Sequence, residues 1–158
     1  MNLWPRRGGG EMSHDDLLER LMAIDTEGVT FLGGEPLQQA ESLLPLLRDL
    51  KFVGKSIFLY SGYDREEMDD IQRACLDLAD IAVLGRYIEA ERDTTLRWRG
   101  SRNQAVEFLT DRYGPDDMNG EATEVEYHIG KDGLVRVIGY PDLEDLETLF
   151  DPDPSPTT

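Results

Sequence analysis

The chain has 158 residues but only one cysteine, Cys75, and two histidines, His14 and His128. A lone thiol closes no intrachain disulfide, completes no zinc site and holds no iron–sulfur cluster by itself. The two histidines lie far apart in sequence, so no metal-ligating constellation is visible. Positive charge is also scarce: 16 Lys and Arg face 33 Asp and Glu, a formal net charge of −17. Such a surface repels phosphate backbones and anionic lipid heads, which argues against a nucleic-acid or membrane partner. No apolar run approaches the roughly 18–20 residues that a membrane-spanning helix needs. Arg6 and Arg7 are followed by three glycines, not by the apolar stretch of a signal peptide. The expected compartment is the cytoplasm. Two phosphate-binding signatures, G-x-x-x-x-G-K-S/T and G-x-G-x-x-G, do not occur.

What is present suits a folded chain of one domain. Hydrophobic residues at 39% outweigh charged ones at 31%, which separates it from a disordered composition. Ser13 followed by Asp15 and Asp16 reads as a helix cap, and Leu17, Leu18, Leu21, Met22 and Ile24 share one helical face. Residues 29–32 form a short apolar strand that runs into Gly33-Gly34-Glu35-Pro36. Pro36 opens a helix bearing Leu37, Ala40, Leu43, Leu44, Leu47 and Leu50. A second strand covers 56–60. Asp64 with Glu67 then caps a helix that faces inward through Met68, Ile71, Cys75 and Leu78. A third strand covers 80–84. Alternation of strand and helix predicts a parallel sheet. Residues 104–113 read as a further helix through Ala105, Val106, Phe108 and Leu109. Residues 124–129 and 134–138 alternate about an Asp-Gly turn and predict a β-hairpin. A short acidic helix at 142–150 and a Pro-rich disordered tail at 151–158 complete the chain. The expected division is 1–113 as an α/β core, 114–150 as hairpin and helix, and 151–158 as tail.

The feature most suggestive of chemistry is the turn at Gly33, Gly34, Glu35 and Pro36. Ligands of parallel α/β sheets sit at the carboxyl ends of strands. This turn offers a carboxylate and backbone carbonyls, all acceptors, which suit an ammonium group and not a phosphate. The same residues also make an ordinary strand-to-helix turn with Glu35 near a helix N-terminus. Trp98 between Arg97 and Arg99 either stacks on a ring such as adenine or is a packed aromatic with two arginines lying over it. His128 reads as a strand residue. Asp142, Glu144, Asp145 and Glu147 read as a solvated helix face, or else as a docking surface for a basic partner.

Val29-Thr30-Phe31-Leu32-Gly33-Gly34-Glu35-Pro36-Leu37 resembles the GGEP segment of radical S-adenosylmethionine activating enzymes. That family includes the activators of pyruvate formate-lyase and of anaerobic ribonucleotide reductase. Tyr60-Ser61-Gly62-Tyr63 is similar to its "TGY" strand end, and residues 80–87 to its "D-x-x-V-D-G-x-Y/F" strand. Leu96-Arg97-Trp98-Arg99-Gly100-Ser101-Arg102-Asn103-Gln104 is close to the "L-x-W-R-G-S-x-N-Q" of the ribonucleotide reductase activators. Residues 9–13 resemble the segment directly after the family's cluster loop. The likeness covers about residues 2–110, with its motifs in family order and spacing.

The resemblance implies an incomplete (β/α) partial barrel of the radical S-adenosylmethionine type, with a C-terminal hairpin and short helix. It implies that the turn from Gly33 to Pro36 holds the amino group of S-adenosylmethionine. Ser61, Ser101 and Asn103 would face the same ligand. The family binds a 4Fe-4S cluster on CxxxCxxC, cleaves S-adenosylmethionine reductively and takes a hydrogen atom from a glycine of a partner enzyme. Two departures stand out. The three cysteines are absent, and Leu84 stands where the family has Asp. The expectations are therefore no cluster, no catalytic residue, weak or lost cofactor binding and an inactive chain. A further expectation is that Met1 is an internal start with the cluster loop encoded upstream. Residues 29–32 would then be an exposed sheet edge. The alternative is a cluster-free module that binds an adenosyl compound, a nucleotide or a partner protein.

Overall fold

The computed structural model describes residues 12–118, 126–129 and 135–138. The expectations for 1–11, for the turn at 130–133, for the 142–150 helix with its acids and for the 151–158 tail lie outside the described residues.

Helix α1 spans His14–Met22, and the Ser13 hydroxyl accepts from the Asp16 N–H at 3.1 Å. Leu17, Leu18 and Leu21 pack on the core. Met22 and Ile24 are exposed, so the helix ends before the expected apolar face is complete. Strand β1 spans Gly28–Phe31. A single 3-10 turn, Pro36–Gln39, leads into helix α2, Ala40–Phe52. Strand β2 spans Ser56–Ser61, helix α3 Asp70–Leu76 and strand β3 Ile81–Leu84. The Asp64–Glu67 box is formed, but it caps a 3-10 turn, Arg65–Glu67. Asp69 and Gln72 cap α3 instead, through bonds of 2.8 and 3.0 Å. That break resets the helical phase. Gln72, Cys75 and Leu76 point inward, while Ile71, expected inside, is exposed.

Strands β1, β2 and β3 pair in parallel, as the alternation of strand and helix predicts. The helix expected at 104–113 is not there. Strand β4, Ala105–Phe108, runs antiparallel to β3, pairing Ile81 with Phe108 and Leu84 with Ala105. In an apolar run this short, helix and strand spacing look alike. The open edge of β3 decides, because it offers backbone partners that a helix would leave unpaired. Strands β5, Glu126–Ile129, and β6, Val135–Ile138, form a separate antiparallel pair, matching the expected hairpin. The first sheet has the order β1-β2-β3-β4, so β1 is an edge in that sheet.

One face of this sheet packs on the helices. Leu37, Leu47, Leu50, Ile57, Leu59, Leu76 and Cys75 are at most 1% exposed there. Each such leucine or isoleucine contributes about 1.5–3 kcal/mol relative to exposure. The register puts Thr30, Phe58, Tyr60, Val83 and Phe108 on the other face, which carries no described helix. Asp80 pins the amino end of the sheet. Its carboxylate accepts from Lys51 Nζ at 2.5 Å, Thr110 Oγ1 at 2.7 Å and the Ile57 N–H at 2.9 Å. Burial raises its pKa, but those three bonds and the Lys51 charge outweigh it, and the net shift is downward. Among the described residues no helix is long and apolar enough to cross a membrane.

Candidate functional site

The carboxyl ends of β1, β2 and β3 meet the loop before β4. Gly33 and Gly34 follow β1 with φ of 86° and 56°. An L side chain is disfavoured there, and a β-carbon at either would meet nothing within 4 Å. The turn therefore shows its backbone to open space at the end of a parallel strand.

Glu35 explains how that turn is held. Its Oε1 accepts from the Leu37 N–H at 3.0 Å and from the Ser61 hydroxyl at 2.9 Å. Its Oε2 accepts from the Gly62 N–H at 2.7 Å. A carboxylate offers about four acceptor positions, so one is left over for anything else. The Ser61 hydroxyl in turn accepts from the Tyr63 N–H at 3.1 Å. Glu35, Ser61 and Gly62 thus form one brace between the turns that follow β1 and β2. Pro36 starts the 3-10 turn behind it.

A second brace holds the loop before β4. Gln104 Oε1 accepts from the Gly100 and Ser101 N–H groups at 3.0 and 3.2 Å and from the Ser101 hydroxyl at 3.3 Å. Gln104 Nε2 donates to the Gly85 carbonyl at 3.1 Å. Ser101 is fully buried, and its hydroxyl also accepts from the Ile88 N–H at 3.3 Å. Asn103 is exposed and donates to the Arg86 carbonyl at 2.7 Å. Gly85 has φ 102°, and a β-carbon there would come to 3.3 Å from an Asp64 carboxylate oxygen.

The two braces adjoin at Gly62 and Arg86. A β-carbon on Gly62 would lie 3.4 Å from Glu35 Oε2 and 3.9 Å from Arg86 Cγ. Arg86 is exposed and donates to Glu67 at 3.0 Å. Glu67 is held below the usual carboxylate range by the Asp64 N–H and then by Arg86. Of the residues expected to line one ligand, Gly33, Gly34, Glu35, Pro36 and Ser61 form the first cluster and Asn103 the second. Ser101 faces inward, into the loop's own bonds. Arg86 and Gln104 were not singled out by sequence reasoning. Both stand inside the quoted motifs. The bonds of Gln104 to Gly100 and Ser101 are local, but its bond to Gly85 and those of Arg86 to Glu67 and Asn103 join residues 17 to 19 apart, which no local signal marks.

A family model for a 4Fe-4S single cluster domain matches residues 2–107. The chain belongs to that family. It is also similar to curated proteins named anaerobic ribonucleoside-triphosphate reductase-activating protein. It is 35% identical over 103 residues to one from Haemophilus influenzae, covering 58% of this chain and 66% of that protein. For Vibrio cholerae the figures are 36% identity, 55% of this chain and 59% of the relative. For Escherichia coli K12 they are 33%, 54% and 58%. The chain thus spans less than two thirds of these relatives' lengths. The resemblance to the radical S-adenosylmethionine activating-enzyme family read from the motifs holds.

The residues of this 4Fe-4S family member do not fit the cluster. Its one cysteine, Cys75, is fully buried in α3, and its Sγ donates to the Ala40 carbonyl at 3.5 Å. Burial, then the Asp69 charge, pushes its thiol up to about 11, away from the thiolate a metal needs. Among the described residues no group of three His, Cys, Asp or Glu could hold a metal. Leu84, where the motif resemblance places an Asp, is buried in the core cluster.

Proposed function

We propose that this chain is an activating-protein domain that takes the amino-acid end of an adenosyl cofactor, S-adenosylmethionine in the family, at the Gly33–Gly34 turn. The observation that carries this reading is the open left-handed glycine pair beside the Glu35 brace. Free carbonyls of the turn accept the ligand's ammonium. Arg86, released from Glu67, offers a guanidinium for its carboxylate across Gly62. The four-stranded sheet is then the arc of a partial barrel, and the cofactor lies along its carboxyl edge. The partner is a glycyl-radical ribonucleotide reductase, met in the cytoplasm. These 158 residues bind the cofactor weakly and perform no radical step alone, because they carry no cluster ligands.

A second reading is a cluster-free adenosyl, nucleotide or partner-binding module. Leu84 and the buried Cys75 favour it. Calorimetry with S-adenosylhomocysteine and with ATP separates the two. The first reading expects weak binding of S-adenosylhomocysteine that ATP does not displace, and a loss of at least about tenfold in Gly34→Val. ATP that displaces S-adenosylhomocysteine and binds tighter at the same site would select the second.

A further inference from the structure

On the helix-free face of the sheet, Trp98 packs edge-on against Phe58 and Phe108, with ring centroids 5.3 and 6.4 Å away. Its φ is 64°, the one left-handed non-glycine among the described residues. A bulky side chain resists that conformation, and such strain concentrates at binding sites and switches. Arg97 and Arg99 flank it. The Arg97 guanidinium carbon stands 5.9 Å from the centre of the Trp98 ring. Arg99 donates through Nη1 to the Gln104 carbonyl. Each arginine keeps one nitrogen that is shielded from water and has no hydrogen-bond partner, Nη1 of Arg97 and Nε of Arg99.

Charge makes this unexpected. Acids outnumber cations 33 to 16, and Arg65, Arg73, Arg86, Arg102 and Arg112 each reach a carboxylate. Among the described residues neither Arg97 nor Arg99 has a carboxylate within 4.0 Å, as is also true of Arg20, Arg48 and Arg92, and the acid that feels the Arg99 charge is Asp93. A shielded guanidinium N–H without an acceptor is costly, and an anion admitted by a shift of the arginine side chains relieves that cost.

We propose that Arg97, Trp98 and Arg99 form a site for a phosphate group, free or carried by a nucleotide, separate from the strand-end turn. Two planar guanidinium groups suit a doubly charged oxyanion that accepts bidentate bonds. Gln104 already holds the Gly100–Ser101 backbone and the Arg99 side chain, so less ordering remains for the ligand to impose. The reading does not depend on adenosyl binding at Gly33 and Gly34.

The test uses the full chain with Trp4→Phe, which leaves Trp98 as the one indole. Its emission is followed during titration with inorganic phosphate, AMP and acetate at constant ionic strength. The proposal expects a saturable change with phosphate and AMP, weakened at least about tenfold in Arg97→Gln and in Arg99→Gln. Arg73→Gln, on α3, is expected to leave the titration unchanged. Tighter AMP than phosphate binding assigns the site to nucleotides, and equal binding assigns it to free phosphate. Arg97→Lys, which keeps the charge and loses the planar fork, carries the test if the glutamine variants do not fold, with an intermediate loss expected. No saturable change, an equal response to acetate, or an equal effect of Arg73→Gln overturns the proposal.

Discussion

Asp80 and Glu35 tie the two ends of one sheet with similar chemistry and different surroundings. Each carboxylate accepts three hydrogen bonds, and each joins segments more than 20 residues apart. Asp80 has 2% of its side chain exposed, and its partners include the Lys51 cation. Glu35 is half-buried, has no cation in its brace, and sits next to a turn open to solvent. The amino end of the sheet is thus closed for stability. The carboxyl end is ordered but left accessible, the arrangement a binding edge needs.

The largest expected effect comes from breaking the closed end. Asp80→Ala leaves the Ile57 N–H and Lys51 without their acceptor and should cost about 3–5 kcal/mol in urea unfolding. Acid gives a milder form of the same break. The folded Asp80 pKa lies below its unfolded value of about 3.9, so its contribution is complete above that value. It is lost as pH falls through the folded value. Urea midpoints should therefore drop on going from pH 6 to pH 3 by more in wild type than in Asp80→Asn. Equal drops would show that Asp80 is not the pin.

A smaller effect on stability, and a larger one on binding, is expected at the open end. Glu35→Gln replaces one acceptor oxygen by a donor and should cost only about 1–2 kcal/mol. Affinity for S-adenosylhomocysteine should fall by at least about tenfold, because the two turns lose their common anchor. A stability loss matching that of Asp80→Ala, with affinity unchanged, would erase the distinction between the ends.

Much of the closed architecture was legible in the sequence. Residues 29–32, 56–60 and 80–84 are short apolar runs separated by helical spacing, and periodicity reads such patterns well. β4 was not legible, because Ala105-Val106-Glu107-Phe108 fits either spacing and only the free edge of β3 selects the strand. The exposure of Ile71 was hidden by the break between two successive caps, at Asp64 and Asp69. At the site, the open glycine turn was visible as a motif. The engagement of Glu35 was not, since its partners Ser61 and Gly62 lie 26 and 27 residues downstream. Ser101 looked available as a polar loop residue. Its burial depends on Gln104 folding the loop back on Gly85.

The central claim is that the carboxyl end of the sheet receives the amino-acid end of an adenosyl ligand while the amino end remains untouched. Backbone amide mapping during titration with S-adenosylhomocysteine tests it most directly. The account predicts saturable shifts at Gly33, Gly34, Gly62, Arg86 and Asn103, and none at Lys51, Ile57 or Thr110. Saturable shifts confined to the Asp80 end, or none at the glycine turn at saturating ligand, would contradict it.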